Sequence, residues 1–251
     1  MMQYTTGLEM GARQYLRNGL FMVLLVVLPP AFITLSFTTT PDALLPVGLL
    51  EDGERQVFSL GMPELHGALM VPMTAAFLSG FVGLFIVFNA REGDRRLVIA
   101  GYSLRNLLAV RLTMIAVLSL AITLLAVSVT LISFRPEQLG LFFLTNLVSA
   151  LQYAFLGTVA GTFLSATSGT YLMFFAPMID IGLVQNPMFP RDGVQWWVKL
   201  LPGYAPMEVL TDVSFTTGFD TWGFLGFSAL YTVAIGAVAA VLFVRVTAAR
   251  S

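Results

Sequence analysis

Apolar runs long enough to cross a bilayer dominate this chain of 251 residues and limit its fold more than any other feature. A helix rises ~1.5 Å per residue, so about 20 apolar residues cover a hydrocarbon core ~30 Å thick. Such runs are read at 19–37, 67–88, 106–134, 139–163, 170–184 and 223–244. Only 11% of the residues are charged, against about 25% in ordinary soluble domains. The expected fold is an all-α integral membrane protein, a single domain of six transmembrane helices.

The connecting segments carry the remaining information. Residues 5–18 place Leu8, Ala12, Tyr15 and Leu16 at helical spacing, with Arg13, Gln14 and Arg17 on other faces. That pattern predicts an amphipathic interfacial helix, with a disordered tail as the alternative. Arg13 and Arg17 before an apolar run resemble a signal peptide, but the run is too long and lacks a small-residue cleavage site, so it reads as a retained span. Pro29-Pro30 is expected to kink it. Residues 38–66 collect Asp42, Glu51, Asp52, Glu54 and Glu64 among proline and glycine breakers and read as an outer loop.

The densest charge lies between the second and third runs, from Asn89 to Arg105. Asn89 with Glu92 three residues on suggests a capping box, so a short new helix is expected over 91–104. Residues 185–222 are too broken by Pro202, Gly203 and Pro206 for a span. Trp196, Trp197, Leu200 and Leu201 make them too apolar for a solvated loop. They read as short re-entrant helices dipping in from the outer side, or as a surface helix anchored by its tryptophans.

The charge distribution orients this scheme. With both termini and the loops after the second and fourth runs on one side, that side holds nine basic residues and the other holds four. Acidic residues divide three to ten the opposite way, leaving Asp180 in a span. The basic bias predicts cytoplasmic termini in a cell inner membrane.

Several chemistries are excluded. The chain has no Cys, and His66 is its single histidine, so thiolate metal sites, disulfides and multi-histidine centres are out. No P-loop, Gly-x-Ser-x-Gly elbow or His-Glu-x-x-His motif occurs. Hence no catalytic, metal or cofactor residue is assigned, and the chain is not expected to be an enzyme by itself. His66 reads as a solvated or interfacial loop residue. Asp180 reads as a helix-end acid near the outer interface or as a polar group in a translocation path. Phe81, Phe85 and Phe174 could line a hydrophobic route, or face lipid and packed neighbours. Gly80, Gly83, Gly157 and Gly161 provide small-residue surfaces for close helix approach, inside the chain or between subunits.

This layout resembles the ABC transporter export permeases of the second type, the daunorubicin-resistance kind. Gly93-Asp-Arg-Arg-Leu-Val-Ile-Ala-Gly-Tyr-Ser103, followed by Arg111, is similar to that family's coupling helix, with Gly101 in place of the usual proline and the Glu-Arg signature shifted to Arg91-Glu92. Phe189-Pro190 and Leu201-Pro-Gly-Tyr-Ala-Pro206 are similar to its proline-marked re-entrant helices. The resemblance implies a permease moving a hydrophobic or amphipathic compound, drug or lipid, and working as a pair with itself or a similar permease. It implies separate ABC ATPase subunits that bind ATP and Mg, docked on Arg91, Glu92, Asp94, Arg95, Arg96, Leu97 and Tyr102. Membrane lipid is an expected partner and nucleic acid is not. A non-transporting membrane scaffold, and less so a secondary transporter, remain as alternatives.

Overall fold

The computed structural model describes residues 2–17, 19–51, 53–189 and 195–248. Helix α1 (Met2–Leu16) precedes α2 (Gly19–Thr39), which continues through Pro29 and Pro30. A hairpin of β1 (Leu44–Glu51) and β2 (Glu54–Gly61) follows, then α3 (Met62–Ile99), α4 (Leu104–Thr130) and α5 (Leu139–Phe163). Helix α6 (Ala166–Ile179) passes into a π turn (Asp180–Val184), and a 3-10 turn (Val198–Leu200) leads to α7 (Tyr204–Phe215) and α8 (Trp222–Ala248). Among the described residues, six helical segments are long and apolar enough to cross a membrane. The chain is a multi-pass membrane protein.

Helix α3 is the centre of the bundle: 83% of its span is buried, against 17% for α8. It lies against α2, α4, α5 and α6. Its closest neighbour is α5, because glycines remove the side chains between them. A Cβ on Gly83 would sit 1.7 Å from the Ala154 carbonyl oxygen, and one on Gly157 would sit 2.0 Å from that of Gly80. The four glycines singled out by spacing are thus spent inside the chain, where backbones meet. Even one methyl group would force the helices apart, and in a packed core such overfilling costs ~1–3 kcal/mol or more.

Two expectations are corrected here. The fold is not purely helical, since 44–61 forms an antiparallel hairpin with Val47 opposite Phe58 and Leu45 opposite Leu60. Leu45, Val47, Leu49, Phe58 and Leu60 alternate onto one face and join the cluster of Met207, Val209, Leu210 and Val213 from α7. The hairpin is a lid on α7, with Arg55 reaching Glu208 at 2.8 Å. Nor does a new helix start at Asn89. Helix α3 runs on to Ile99, since nothing between Phe88 and Leu97 breaks it.

His66 belongs to the first turns of α3 and is half-buried, its Nδ1 2.6 Å from Thr40 Oγ1 at the end of α2. Helix α6 begins four residues before the predicted fifth span because the Ser165 hydroxyl accepts from Ser168 N and caps it.

At the hairpin end, Asp212 organises the turn into α8. Buried to 1% exposure, it accepts from Thr216 Oγ1 (2.5 Å), Thr221 Oγ1 (2.7 Å) and the Asp220 and Thr221 amides (3.1 Å each). Gln138, opening α5, donates to the carbonyls of Thr216 and Gly218 and ties the same turn to the bundle.

Candidate functional site

The end of the bundle opposite the hairpin carries the charged stretch. At ~1.5 Å per residue, α3 is about 57 Å long, nearly twice the hydrocarbon thickness. Its apolar span closes at Phe88, so its last turns project beyond any bilayer that the span fills. Gly101 ends the helix. With φ at 88°, it lets its own amide bond Val98 O at 3.0 Å and the Tyr102 amide bond Leu97 O at 2.8 Å, the Schellman arrangement. A positive φ is strained for a residue with a side chain, so this turn calls for glycine at 101.

The side chains divide between outside and inside. Arg96, Ile99 and Arg105 are exposed, and Leu97 is half-buried. Asp94 is 2% exposed and takes Arg111 as a two-pronged partner, Nη2 at 2.5 Å and Nε at 3.1 Å. Asp94 therefore cannot meet a soluble partner: it folds the projecting end of α3 back onto α4. Tyr102 also turns inward, its hydroxyl donating to the Gln3 carbonyl. The side chains of Arg91, Glu92 and Arg95 lie outside the described residues.

Helix α1 completes this end. Gln3 Oε1 accepts from the Ser103 amide at 3.3 Å and from Asn106 Nδ2 at 3.1 Å, and Tyr4 Oη lies 2.9 Å from Thr113 Oγ1. Gly7 lies against Tyr102 and Val110, and Gly11 against Met114. Tyr15 is buried among Val110, Met114 and Ile115. Burial pushes its hydroxyl well above the usual tyrosine range, with the Arg111 charge pulling the other way, so it stays protonated. Sequence spacing showed the amphipathic face of α1; it could not show that this face lies on α4.

The second candidate region lies toward the hairpin end. Asp180, 5% exposed, accepts from Tyr153 Oη (2.5 Å), Gly203 N (2.7 Å) and Gln185 Nε2 (3.2 Å). A Cβ on Gly203 would come within 2.9 Å of the carboxylate. Asp180 thus pins the approach to α7 against α5, and the π turn gives it that position. Beside it runs an apolar groove of about 530 Å³, with Leu156, Met173, Ala176, Trp197 and Leu201 in its walls. Phe81, Phe85 and Phe174 do not line it. They form a ring ladder with Phe77 on the flank of α3 and α6, with centroids 4.6 Å (Phe77–Phe81), 5.3 Å (Phe77–Phe174) and 6.1 Å (Phe81–Phe85) apart. The sequence grouped these phenylalanines with Asp180; the structure separates them. Asp212 carried no signal beyond being an acid in an apolar segment.

Among the described residues no cluster of three or more His, Cys, Asp or Glu could hold a metal ion. No protein-family model matches the chain, and no curated protein matches it.

Proposed function

We propose that the chain is the transmembrane subunit of an ATP-driven exporter of the second ABC type, with both termini cytoplasmic and a hydrophobic or amphipathic cargo. The observation that carries this reading is the projecting, arginine-bearing end of α3, which continues the most buried helix of the bundle without a break. A force applied there is applied to the core. The chain has no P-loop, so the nucleotide chemistry belongs to a separate ATPase subunit.

In this reading the coupling element is the end of α3 with the turn at 100–103, rather than a free-standing helix. Arg96, Ile99 and Arg105 meet the ATPase, while Asp94 and Tyr102 hold the element to α4 and α1. Helix α1 lies at the cytoplasmic interface. The 3-10 turn and α7 form the re-entrant outer segment under the hairpin. Two copies, or one copy and a similar permease, enclose the route, with Phe81, Phe85 and Phe174 on a surface facing it and Asp180 fixing the outer gate.

The test is to co-express the chain with ABC ATPase subunits of its own host, purify the complex, and reverse Arg96 and Arg105 to Glu together. ATPase recovery in the complex should fall at least several-fold while the permease still elutes as a folded species. Unchanged recovery and unchanged substrate-stimulated hydrolysis would count against the reading.

A further inference from the structure

The hairpin end holds a second cavity, which shares no wall residue with the groove beside Asp180. It measures about 430 Å³ and is lined by Lys199, Tyr204, Asp220, Gly223, Phe224 and Phe227, within the ~300–1,000 Å³ of small-ligand sites. One cation and one carboxylate thus share a space with three aromatic rings, two of which, Tyr204 and Phe224, meet edge to face with centroids 5.8 Å apart. Each charge stands on a fixed backbone. The 3-10 turn bearing Lys199 is held by Tyr231 Oη, which donates to Leu200 O at 3.3 Å, and by Gln185 Nε2, which donates to Val198 O at 3.4 Å. The turn bearing Asp220 is held by Asp212, which accepts the Asp220 amide at 3.1 Å. Among the described residues Lys199 enters no ion pair.

This cavity opens where a span begins. Gly223, Phe224 and Phe227 belong to the first two turns of α8, whose apolar span starts at Trp222. Trp196, Trp197 and Trp222, close in sequence to Lys199 and Gly223, are all exposed, and tryptophan gathers at the headgroup level of a bilayer. Deeper along α8, Phe227, Leu230, Ala234 and Val238 are exposed at spacings of three and four, which puts them on one face. From Phe227 to Val238 that face runs ~16 Å, about half of a ~30 Å hydrocarbon core. A charged, aromatic-walled cavity therefore sits at the head of an apolar stripe one leaflet deep.

We propose that this cavity binds the headgroup of a zwitterionic phospholipid from the leaflet at the hairpin end, with an acyl chain laid along α8. The lipid phosphate is the anion for the Lys199 ammonium, and the lipid ammonium is the cation for Asp220 and for the faces of Tyr204, Phe224 and Phe227. An anionic lipid would set its net charge against Asp220. A soluble zwitterion would bring no tail for the stripe below. The site needs only that α8 spans a bilayer, so it stands apart from the transport reading.

Native mass spectrometry of the full chain tests it, after delipidation in detergent and addition of phosphatidylethanolamine and phosphatidylglycerol with identical acyl chains in equal amounts. One phosphatidylethanolamine should be retained at least several-fold over phosphatidylglycerol. Asp220→Asn should bring the two lipids to parity or reverse their order, and Lys199→Gln should lower retention of both. Gly223→Leu should abolish the preference. A Cβ on Gly223 meets nothing within 4 Å, so this variant fills the cavity without disturbing the helix and serves where Asp220→Asn fails to fold. Equal retention of the two lipids by the unaltered chain, a preference for phosphatidylglycerol, or a preference unmoved by Gly223→Leu overturns the proposal. Soluble glycerophosphoethanolamine at the same concentration should not displace the lipid; displacement would overturn the lipid assignment in favour of a soluble zwitterion.

Discussion

Attraction between a guanidinium and a carboxylate shielded from water is largely offset by the cost of desolvating both, so the Asp94–Arg111 pair adds little net stability as a pair. Losing one partner is different, because it strands a buried charge. Asp94→Ala should destabilise the protein by about 3–5 kcal/mol, and Asp94→Ala combined with Arg111→Met should recover most of that loss. Thermal unfolding in detergent checks both; equal midpoints for the single and double variants would contradict a buried, closed pair. This inward turn is not legible in the residue order. Asp94 stands in a run of charges and its partner lies beyond a turn, so a spacing argument places it in solvent. Asp180 was legible as a costly acid at membrane depth, but its partners, Tyr153, Gln185 and Gly203, come from separate segments. Only tertiary structure brings those together.

Among the elements, the helices were the most legible, because hydrophobic length is a local property. The fourth run coincides with α5 at both ends, and α4 and α8 begin or end within a few residues of their expected bounds. The hairpin was missed although a signal was present: Asp52-Gly53 between two runs with inward alternation is a short-loop hairpin signature. The acidic residues around it outweighed that signal. Its attachment to α7 is mostly apolar, so Leu49→Ala should cost ~2–5 kcal/mol. Arg55→Ala, which removes only a half-exposed ion pair, should cost ~1 kcal/mol or less. Comparing the two by thermal unfolding settles which contact fastens the hairpin, and a larger loss for Arg55→Ala would contradict the apolar account.

For the whole molecule, six spans return the chain to the end where it began. Helix α1 and the described end of α8 therefore share an end with the turn at 100–103, and the hairpin, α7 and the start of α8 share the other. The absence of cysteine makes this easy to probe. Val57→Cys, in an exposed hairpin position, should react with an impermeant maleimide in intact cells, and Arg96→Cys only after permeabilisation. Reaction of both from the same side would break the topology. The central place of α3 also bears on how the protein is made. Its glycine surface is complementary to a helix synthesised about 75 residues later, on the far side of α4. Until that segment emerges from the ribosome, the glycine seam of α3 lacks the helix it fits, so this joint closes only after α5 has been made.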